Sequence, residues 1–196
     1  LRISAKVYLT QGEKQSVRVI AEPETLEELV TEVKDRSLVI RYPNNTFFRN
    51  WNPGKVEIYI TVPEVEGLSV SGSGDIISES IKSRIIDFTV SGSGNIEIEN
   101  LSAEKVDAGI SGSGNIRLKS GGVANELRAR ISGSGNVDAG GFEAQNVDVQ
   151  TSGSGNCHVV SNGAINVRVS GSGSVYYRGN PSIDSSISGS GKVRKR

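Results

Sequence analysis

Apolar and polar residues alternate along most of this chain, with the two-residue period of strands that bury one face. Between residues 106 and 118, Val, Ala, Ile and Leu take one parity and mostly polar residues take the other. A Ser-Gly-Ser-Gly phrase inside this stretch does not shift the phase of the alternation. The pattern predicts a strand that runs through the phrase with its glycines inward and its serines outward. Inward glycines are expected because a side chain there would collide with the opposite wall.

The phrase occurs seven times at nearly constant spacing. It begins at Ser71, Ser91, Ser111, Ser132, Ser152, Ser170 and Ser188. A period near twenty residues indicates a stacked-repeat protein, in which no unit buries its apolar face alone. Apolar columns flank the phrase on both sides, and the chain has too little helix for crossover packing. These features predict an all-β fold: a right-handed parallel β-helix with about seven rungs that contain the phrase.

Residues 1–66 lack the phrase and are predicted to form a β-rich N-terminal cap continuous with the helix, which occupies residues 67–196. Alternation predicts a hairpin over residues 3–21 and strands over 38–42 and 56–62. A short helical turn is expected over residues 23–29. A cap is physically required because the first coil of a stack would otherwise expose unpaired backbone and apolar surface.

The outward serines are the largest regular feature and form the candidate binding surface. They are Ser71, Ser73, Ser91, Ser93, Ser111, Ser113, Ser132, Ser134, Ser152 and Ser154. A flat strip of hydroxyls can hydrogen-bond to glycans, to a surface protein or to a second copy of the chain. The alternative is that small residues are only tolerated on a tight face. A second possible contact site is the aromatic loop with Phe47, Phe48 and Trp51, which either covers the core or meets a partner.

Two further outward columns follow each phrase. The first is Asp75, Asn95, Asn115, Asn136 and Asn156, which predicts a ladder of side-chain hydrogen bonds between rungs. The second is Glu97, Arg117, Asp138, His158, Tyr176 and Arg194, whose alternating signs predict surface salt bridges.

The candidates for catalysis are weak. Asp87, Asp107, Asp148 and Asp184 form an acidic column that Arg128 and Asn166 interrupt. Asp87 and Asp107 on neighbouring rungs could share a calcium ion, and such a column could serve a polysaccharide lyase, but no base is obviously placed beside it. His158 is the only histidine, and Cys157 falls in an apolar column. The sequence therefore predicts no catalytic residues, no metal site and no cofactor.

Composition excludes some partners. With 22 basic and 22 acidic side chains, the formal net charge is zero, which argues against a nucleic-acid partner held by counterion release. No apolar run is long enough to predict a transmembrane segment.

The phrases at residues 72–76, 92–96 and 112–116 resemble the recurring motif of the head GIN domain family, auto-transporter adhesins of bacterial cell envelopes. The resemblance implies a β-helix similar in shape to pectin lyases, no established catalytic residues and a role in adhesion. It also implies a periplasmic or surface-exposed location, with any signal peptide or lipid anchor outside this sequence. The chain departs from the motif at Cys157, Ser174 and Lys192.

The leading hypothesis is thus a non-enzymatic binding or adhesion module that presents Ser- and Asn-lined faces. The alternatives are a lyase-like carbohydrate-active enzyme and a structural, self-associating protein. An ice-binding face is less favoured, because threonine rather than serine is expected there.

Overall fold

Parallel strands stacked in register form most of the molecule. The structure is a computed structural model that describes residues 1–43 and 53–196. It is 65% strand and 3% helix, in about six turns of a β-solenoid. The predicted all-β parallel β-helix is confirmed.

The elements follow one another in a simple order. The strands are β1 (Lys6–Gln11), β2 (Ser16–Ile20), β3 (Val30–Lys34), β4 (Ser37–Arg41), β5 (Glu57–Val62), β6 (Gly67–Val70), β7 (Asp75–Val90), β8 (Asn95–Ile110), β9 (Asn115–Gly121), β10 (Val123–Ile131), β11 (Asn136–Thr151), β12 (Cys157–Val160), β13 (Ala164–Gly171), β14 (Val175–Arg178), β15 (Ser182–Gly189) and β16 (Val193–Lys195). The single helix among the described residues is α1 (Pro23–Glu28), where a helical turn was predicted.

Like residues stack on like residues from rung to rung, a rung being one coil of about twenty residues. The column after the phrase pairs Ile76, Ile96, Ile116, Val137, Cys157, Val175 and Val193 in sequence. The column before it pairs Val70, Val90, Ile110, Ile131, Thr151, Val169 and Ile187. Both columns are buried except at the last rung, where Val193 is half-buried and Ile187 is exposed. Each fully buried aliphatic side chain contributes about 1.5–3 kcal/mol before the entropy cost.

The core also adjusts where the column changes size. Ile81 pairs with Leu101, and Leu101 pairs with Gly121. A Cβ on Gly121 would lie 2.7 Å from the ring of Phe142, which is fully buried. The missing side chain thus leaves room for the phenylalanine of the following rung.

The prediction that strands run straight through the phrase is wrong. At the first four phrases the strands end just before the phrase, as at Val90 and Ile110, and resume at the column of Asp75 and the asparagines. At the fifth phrase the strand ends at Thr151 and the next begins at Cys157. Strand β7 instead continues for 16 residues to the next phrase. At the break, the carbonyl of Gly72 accepts hydrogen bonds from both Ser93 and Gly94, each at 3.1 Å. Two donors from successive residues converge on one acceptor, which requires the backbone to bend.

The predicted N-terminal hairpin is also wrong. Strand β1 lies between β5 and β7 and is parallel to both, so that Lys6 is level with Asp75. Strand β2 is antiparallel to β5 rather than to β1. This arrangement pairs both edges of β1, with β5 on one side and β7 on the other. The only antiparallel hairpin of sequential strands in the described residues is β3–β4. The division into residues 1–66 and 67–196 stays a prediction.

No helix in residues 1–43 or 53–196 combines the length and the apolar character needed to cross a membrane.

Candidate functional site

The glycines of the phrase are packed against the preceding rung. The last glycine of each phrase is buried, and a Cβ on Gly114 would fall on the carbonyl oxygen of Gly94 and 2.7 Å from Cγ1 of Val90. The first glycine is as restricted, since a Cβ on Gly112 would meet the carbonyl oxygen of Gly92. Glycine is therefore required by the close approach of backbone in the neighbouring rung, and not by the opposite wall as predicted.

All ten serines of the candidate surface are exposed. Their regular spacing follows from strand pairing, which separates equivalent residues of adjacent rungs by about 4.8 Å. The structure thus places them together on the surface, while their role in binding stays a prediction. Phe47, Phe48 and Trp51, the other predicted contact residues, lie outside the described residues.

The strip is not flat. The first serines of the last five phrases line one side of an open groove of about 650 Å³, which we call the serine groove. Its serine side contains Ser111, Ser132, Ser152, Ser170 and Ser188. Its other side contains Thr89, Gly109, Arg130, Gln150, Arg168 and Ser186. The second serines, such as Ser134, lie outside this lining. The groove arises because the chain bends at the phrase, which the period-two pattern does not reveal.

Carboxylates beside the serine groove are occupied by cations and amides. Arg130 Nη1 lies 2.8 Å from Asp107 Oδ1, and Arg168 Nη1 lies 3.6 Å from Asp148 Oδ2. The Gln150 amide donates to Asp148 Oδ1 at 3.2 Å. The predicted acidic column is real, because Asp87 pairs with Asp107, but Arg128 follows between Asp107 and Asp148. No group of three or more His, Cys, Asp or Glu able to hold a metal occurs in the described part of the chain.

The predicted Asn ladder is present and bridges each pair of rungs twice. Asn95 donates both its backbone N–H (3.0 Å) and its side-chain amide (2.7 Å) to Oδ1 of Asp75. The same pair of bonds recurs from Asn115 to Asn95, from Asn136 to Asn115 and from Asn156 to Asn136. In the next rung, Ser174 donates only its backbone N–H to Asn156. The ladder therefore serves the stack itself.

The column of alternating charge forms a salt bridge at Arg117–Glu97 (3.5 Å), as predicted, and His158 Nδ1 lies 3.7 Å from Asp138 Oδ1. Hydrogen bonding from Lys119 lowers the pKa of the Glu97 carboxyl, which Arg117 also favours in its charged form. All these pairs are partly exposed, so each contributes little to stability.

A second groove of about 620 Å³ lies over this column, and sequence reasoning missed it. We call it the basic groove. Its polar and aromatic lining comprises Arg117, Lys119, Asp138, His158, Tyr176, Tyr177, Arg178 and Arg196. The sequence did contain a signal for this groove. Lys119, Arg178 and Arg196 each lie two residues after a member of the charged column, so they form a further outward column of cations.

A third cavity, of about 650 Å³, lies at the N-terminal end between the first coil and the β3–β4 hairpin. We call it the N-terminal cavity. Its apolar lining includes Val7, Leu9, Leu38, Ile40, Ile60, Val62, Val65, Leu68 and Ile76. Charged residues stand among its lining, and Arg36 lies 3.6 Å from Glu66 in an exposed ion pair.

Cys157 is a core residue. It is 1% exposed and stands in the apolar column, where burial raises the pKa of its thiol to about 12, with a smaller effect from Asp138. The thiol is thus protonated at neutral pH and unsuited to nucleophilic chemistry.

Solved structures share this architecture. A protein of Bacteroides fragilis, described as "a putative adhesin", superimposes with a TM-score of 0.92 at 27% identity, over 99% of this chain and 89% of that one. A "Putative lipid binding protein" from Parabacteroides distasonis superimposes with a TM-score of 0.81 at 27% identity, over 100% of this chain and 90% of that one. A "putative adhesin" from Parabacteroides merdae superimposes with a TM-score of 0.74 at 18% identity, over 99% of this chain and 88% of that one. This similarity supports the fold alone.

Curated protein sequences provide no match to the chain. The family described as "Putative auto-transporter adhesin, head GIN domain" matches residues 1–181. That match spans the N-terminal strands and six of the seven phrases, which carried the resemblance in the sequence. This chain therefore belongs to the head GIN domain family.

Proposed function

We propose that this protein is a non-enzymatic adhesion module of a bacterial cell envelope, and that it binds glycan hydroxyls in the serine groove. The observation that carries the proposal is the alignment of first-position serines opposite Arg130, Gln150 and Arg168 in one continuous groove. Its family and the description of its Bacteroides fragilis structural relative as an adhesin support the general role. Periplasmic or surface exposure is part of the same proposal.

The chemistry of the groove suits a neutral, hydroxyl-rich ligand. Serine hydroxyls both donate and accept hydrogen bonds, while the Arg–Asp pairs and the Gln150 amide present fixed donors and acceptors. Because Arg130 and Arg168 are already paired with carboxylates, the groove offers little unbalanced charge for an ionic ligand. The stacked rungs hold these groups in place before binding, which reduces the entropy cost of association.

The same contacts favour binding over catalysis. A lyase would need clustered carboxylates and a base in one cleft, whereas Asp107 and Asp148 are each held by an arginine and lie on different rungs with Arg128 between them. His158, the single histidine, lies in the basic groove rather than beside these carboxylates.

A glycan array followed by affinity measurements on a matched pair of variants tests the proposal. Ser132→Leu places an apolar side chain in the serine groove, and Ser134→Leu places the same side chain on the second serine column outside it. We expect Ser132→Leu to weaken binding of the best neutral glycan at least tenfold and Ser134→Leu to leave it unchanged. Equal effects of the two variants, or no glycan bound by the wild type, would refute the proposal. In the latter case, a defined oligomer in solution scattering would favour self-association instead.

A second candidate function is the binding of an apolar ligand such as a lipid chain in the N-terminal cavity. Its volume lies in the range of small-molecule sites, and its walls include Val7, Leu9 and Ile40. The similarity to the Parabacteroides distasonis protein described as lipid binding supports the same possibility.

Displacement of a fluorescent fatty acid separates this function from the first. Val62→Trp fills the N-terminal cavity, whereas Val17→Trp places the same side chain on β2, where Val17 is 47% exposed. Lipid binding predicts that only Val62→Trp abolishes uptake of the probe. Uptake that is absent from the wild type, or equal in both variants, excludes the cavity as a lipid site.

A further inference from the structure

We propose that the basic groove is a separate binding site for an acidic polysaccharide, whose carboxylate or sulfate groups would meet Arg178 and Arg196. Along each rung, the serine groove comes before the second serine of the phrase and the basic groove comes after it. The two sites are therefore separate. Binding in the basic groove does not depend on the function proposed for the serine groove.

The charge of the basic groove is unbalanced. Four cationic side chains line it, against the single carboxylate of Asp138. Arg117 and Lys119 share Glu97, and Lys119 also contacts Glu99 at 2.6 Å. Within the described residues, Arg178 and Arg196 form no ion pair with a carboxylate. The unpaired cations therefore lie in the rungs nearest the C-terminal end of the groove, whereas the serine groove pairs both of its arginines.

The side chain of Arg178 extends along the groove. Its guanidinium crosses the intervening rung and donates through Nη2 to the carbonyl of Gly140. A guanidinium has five N–H donors, and this contact uses one edge of the group, so donors remain for an anion.

Aromatic rings complete the site. His158 and Tyr176 pack edge to face with centroids 5.1 Å apart, and the Arg196 guanidinium lies 4.7 Å from the Tyr176 ring centroid. The Tyr176 ring thus positions the Arg196 guanidinium at the groove, where its N–H donors can meet an anion. Tyr176, Tyr177 and His158 are half-buried, so their rings are supported from behind and reachable from the groove.

The repeat of the site favours a polymer. Tyr177 pairs with Lys195, which places the backbones of Arg178 and Arg196 on adjacent rungs. The Arg178 side chain reaches back to Gly140 and the Arg196 side chain lies over Tyr176, so the two guanidinium groups are separated along the groove and suit a polymer that carries more than one acidic group. A nucleic acid fits less well, because Asp138 lies in the groove, Glu97 and Glu99 border it and the chain has no net charge.

Binding of defined polymers to the full chain at low salt tests this inference. The probes are oligogalacturonate for carboxylates, dextran sulfate for sulfates, neutral dextran, and single-stranded DNA of equal charge. We expect oligogalacturonate or dextran sulfate, or both, to bind, with the stronger of the two identifying the anionic group. Binding of neutral dextran at equal strength, preferential binding of DNA, or binding of no probe would overturn the inference.

Matched variants locate the site. Arg178→Gln/Arg196→Gln removes two charges from the basic groove, while Lys82→Gln/Arg84→Gln removes two exposed charges on β7, outside the groove lining. We expect at least tenfold weaker polyanion binding in the first double variant, at most twofold in the second, and about threefold or more in Tyr176→Leu. Equal losses in both double variants would show general charge attraction and overturn the inference. The glycan bound by the serine groove should be unaffected by Arg178→Gln/Arg196→Gln, so failure of one site is separable from failure of the other.

Discussion

The side-chain amide of Asn115 donates a hydrogen bond of 2.8 Å to Oδ1 of Asn95, its counterpart one rung earlier. The backbone N–H of Asn115 donates to the same oxygen at 3.2 Å. Oδ1 of Asn115 in turn accepts both donors of Asn136, at 3.2 and 3.0 Å. One asparagine thus joins three rungs, at the point where the strands resume after the bend.

Replacing Asn115 by leucine should destabilise the stack by about 2–4 kcal/mol. The change removes the side chain from its hydrogen bonds, each worth about 1 kcal/mol, and leaves the half-buried N–H of Asn136 without its acceptor. Urea unfolding measures the loss. Asn125→Leu is the control, because Asn125 is exposed and its carbonyl, not its side chain, accepts from Asn146. That control should change stability by about 0.5 kcal/mol or less. Equal losses in the two variants would contradict a structural role for the ladder.

Gly112→Val should prevent normal stacking, whereas Ser113→Thr should be mild. A Cβ on Gly112 would strike the Gly92 carbonyl, which already accepts hydrogen bonds from Ser113 and Gly114. Separating the rungs there breaks these bonds, at a cost of about 3 kcal/mol or more. Ser113 points to solvent, so its change should cost about 0.5 kcal/mol or less. Thermal unfolding compares the pair, and equal melting temperatures would argue against the inward packing of the glycine.

Thr151→Val should stabilise the protein by about 1 kcal/mol. Thr151 stands in the otherwise aliphatic column before the phrase, is 3% exposed, and its Oγ1 has no hydrogen-bond partner among the described residues. Valine keeps the branched shape and removes the buried, unpaired hydroxyl. Thr89→Val is the contrasting variant, because the Thr89 hydroxyl donates a hydrogen bond to Asp87 Oδ1 at 2.8 Å. Removing that hydroxyl should not raise the free energy of unfolding. A fall in the free energy of unfolding of Thr151→Val would show that the hydroxyl is satisfied in solution.

The thiol of Cys157 should resist modification in the native state and make stability sensitive to alkaline pH. Burial raises its pKa from 9.0 to about 12, so the folded protein holds the proton more tightly than the unfolded chain. The resulting stabilisation is complete below pH 9 and is lost as the pH rises from about 9 to 12. At pH 10 the free energy of unfolding of the wild type should be lower than at pH 7 by about 1 kcal/mol, beyond any loss seen in Cys157→Val.

Two measurements examine that thiol. Reaction with a chromogenic disulfide reagent should be slow in native protein and rapid in urea. Urea unfolding of the wild type and Cys157→Val at pH 7 and pH 10 gives the pH effect as a difference between variants. Rapid native labelling, or the same pH dependence in both proteins, would show that the thiol is accessible.

Repetition made the sequence unusually informative about fold. Because the phrase recurs in phase with its apolar neighbours, the inward column from Ile76 to Val175 and the Asn ladder could be predicted without coordinates. The prediction was wrong where strand partners are chosen between distant segments. Alternation identified β1 and β2 as strands, but it carries no information that β1 pairs with β5 and β7.

The candidate site was only partly predictable for the same reason. Exposure of the serines follows from parity, but the groove along the first serines depends on the bend, where Gly112 accepts two hydrogen bonds from the next rung. The pairing of Arg130 with Asp107 depends on side chains 23 residues apart, and the reach of Arg178 to Gly140 covers 38 residues.

By itself, the sequence determined the period of the coil, the strand parity and the residues that face inward and outward, since these depend on spacing along one chain. The tertiary structure alone decided where each coil bends, which backbone carbonyl lies beneath each glycine, and how outward side chains assemble into grooves. Those features depend on distances between rungs, which arise only when hydrogen bonding stacks one coil upon the next.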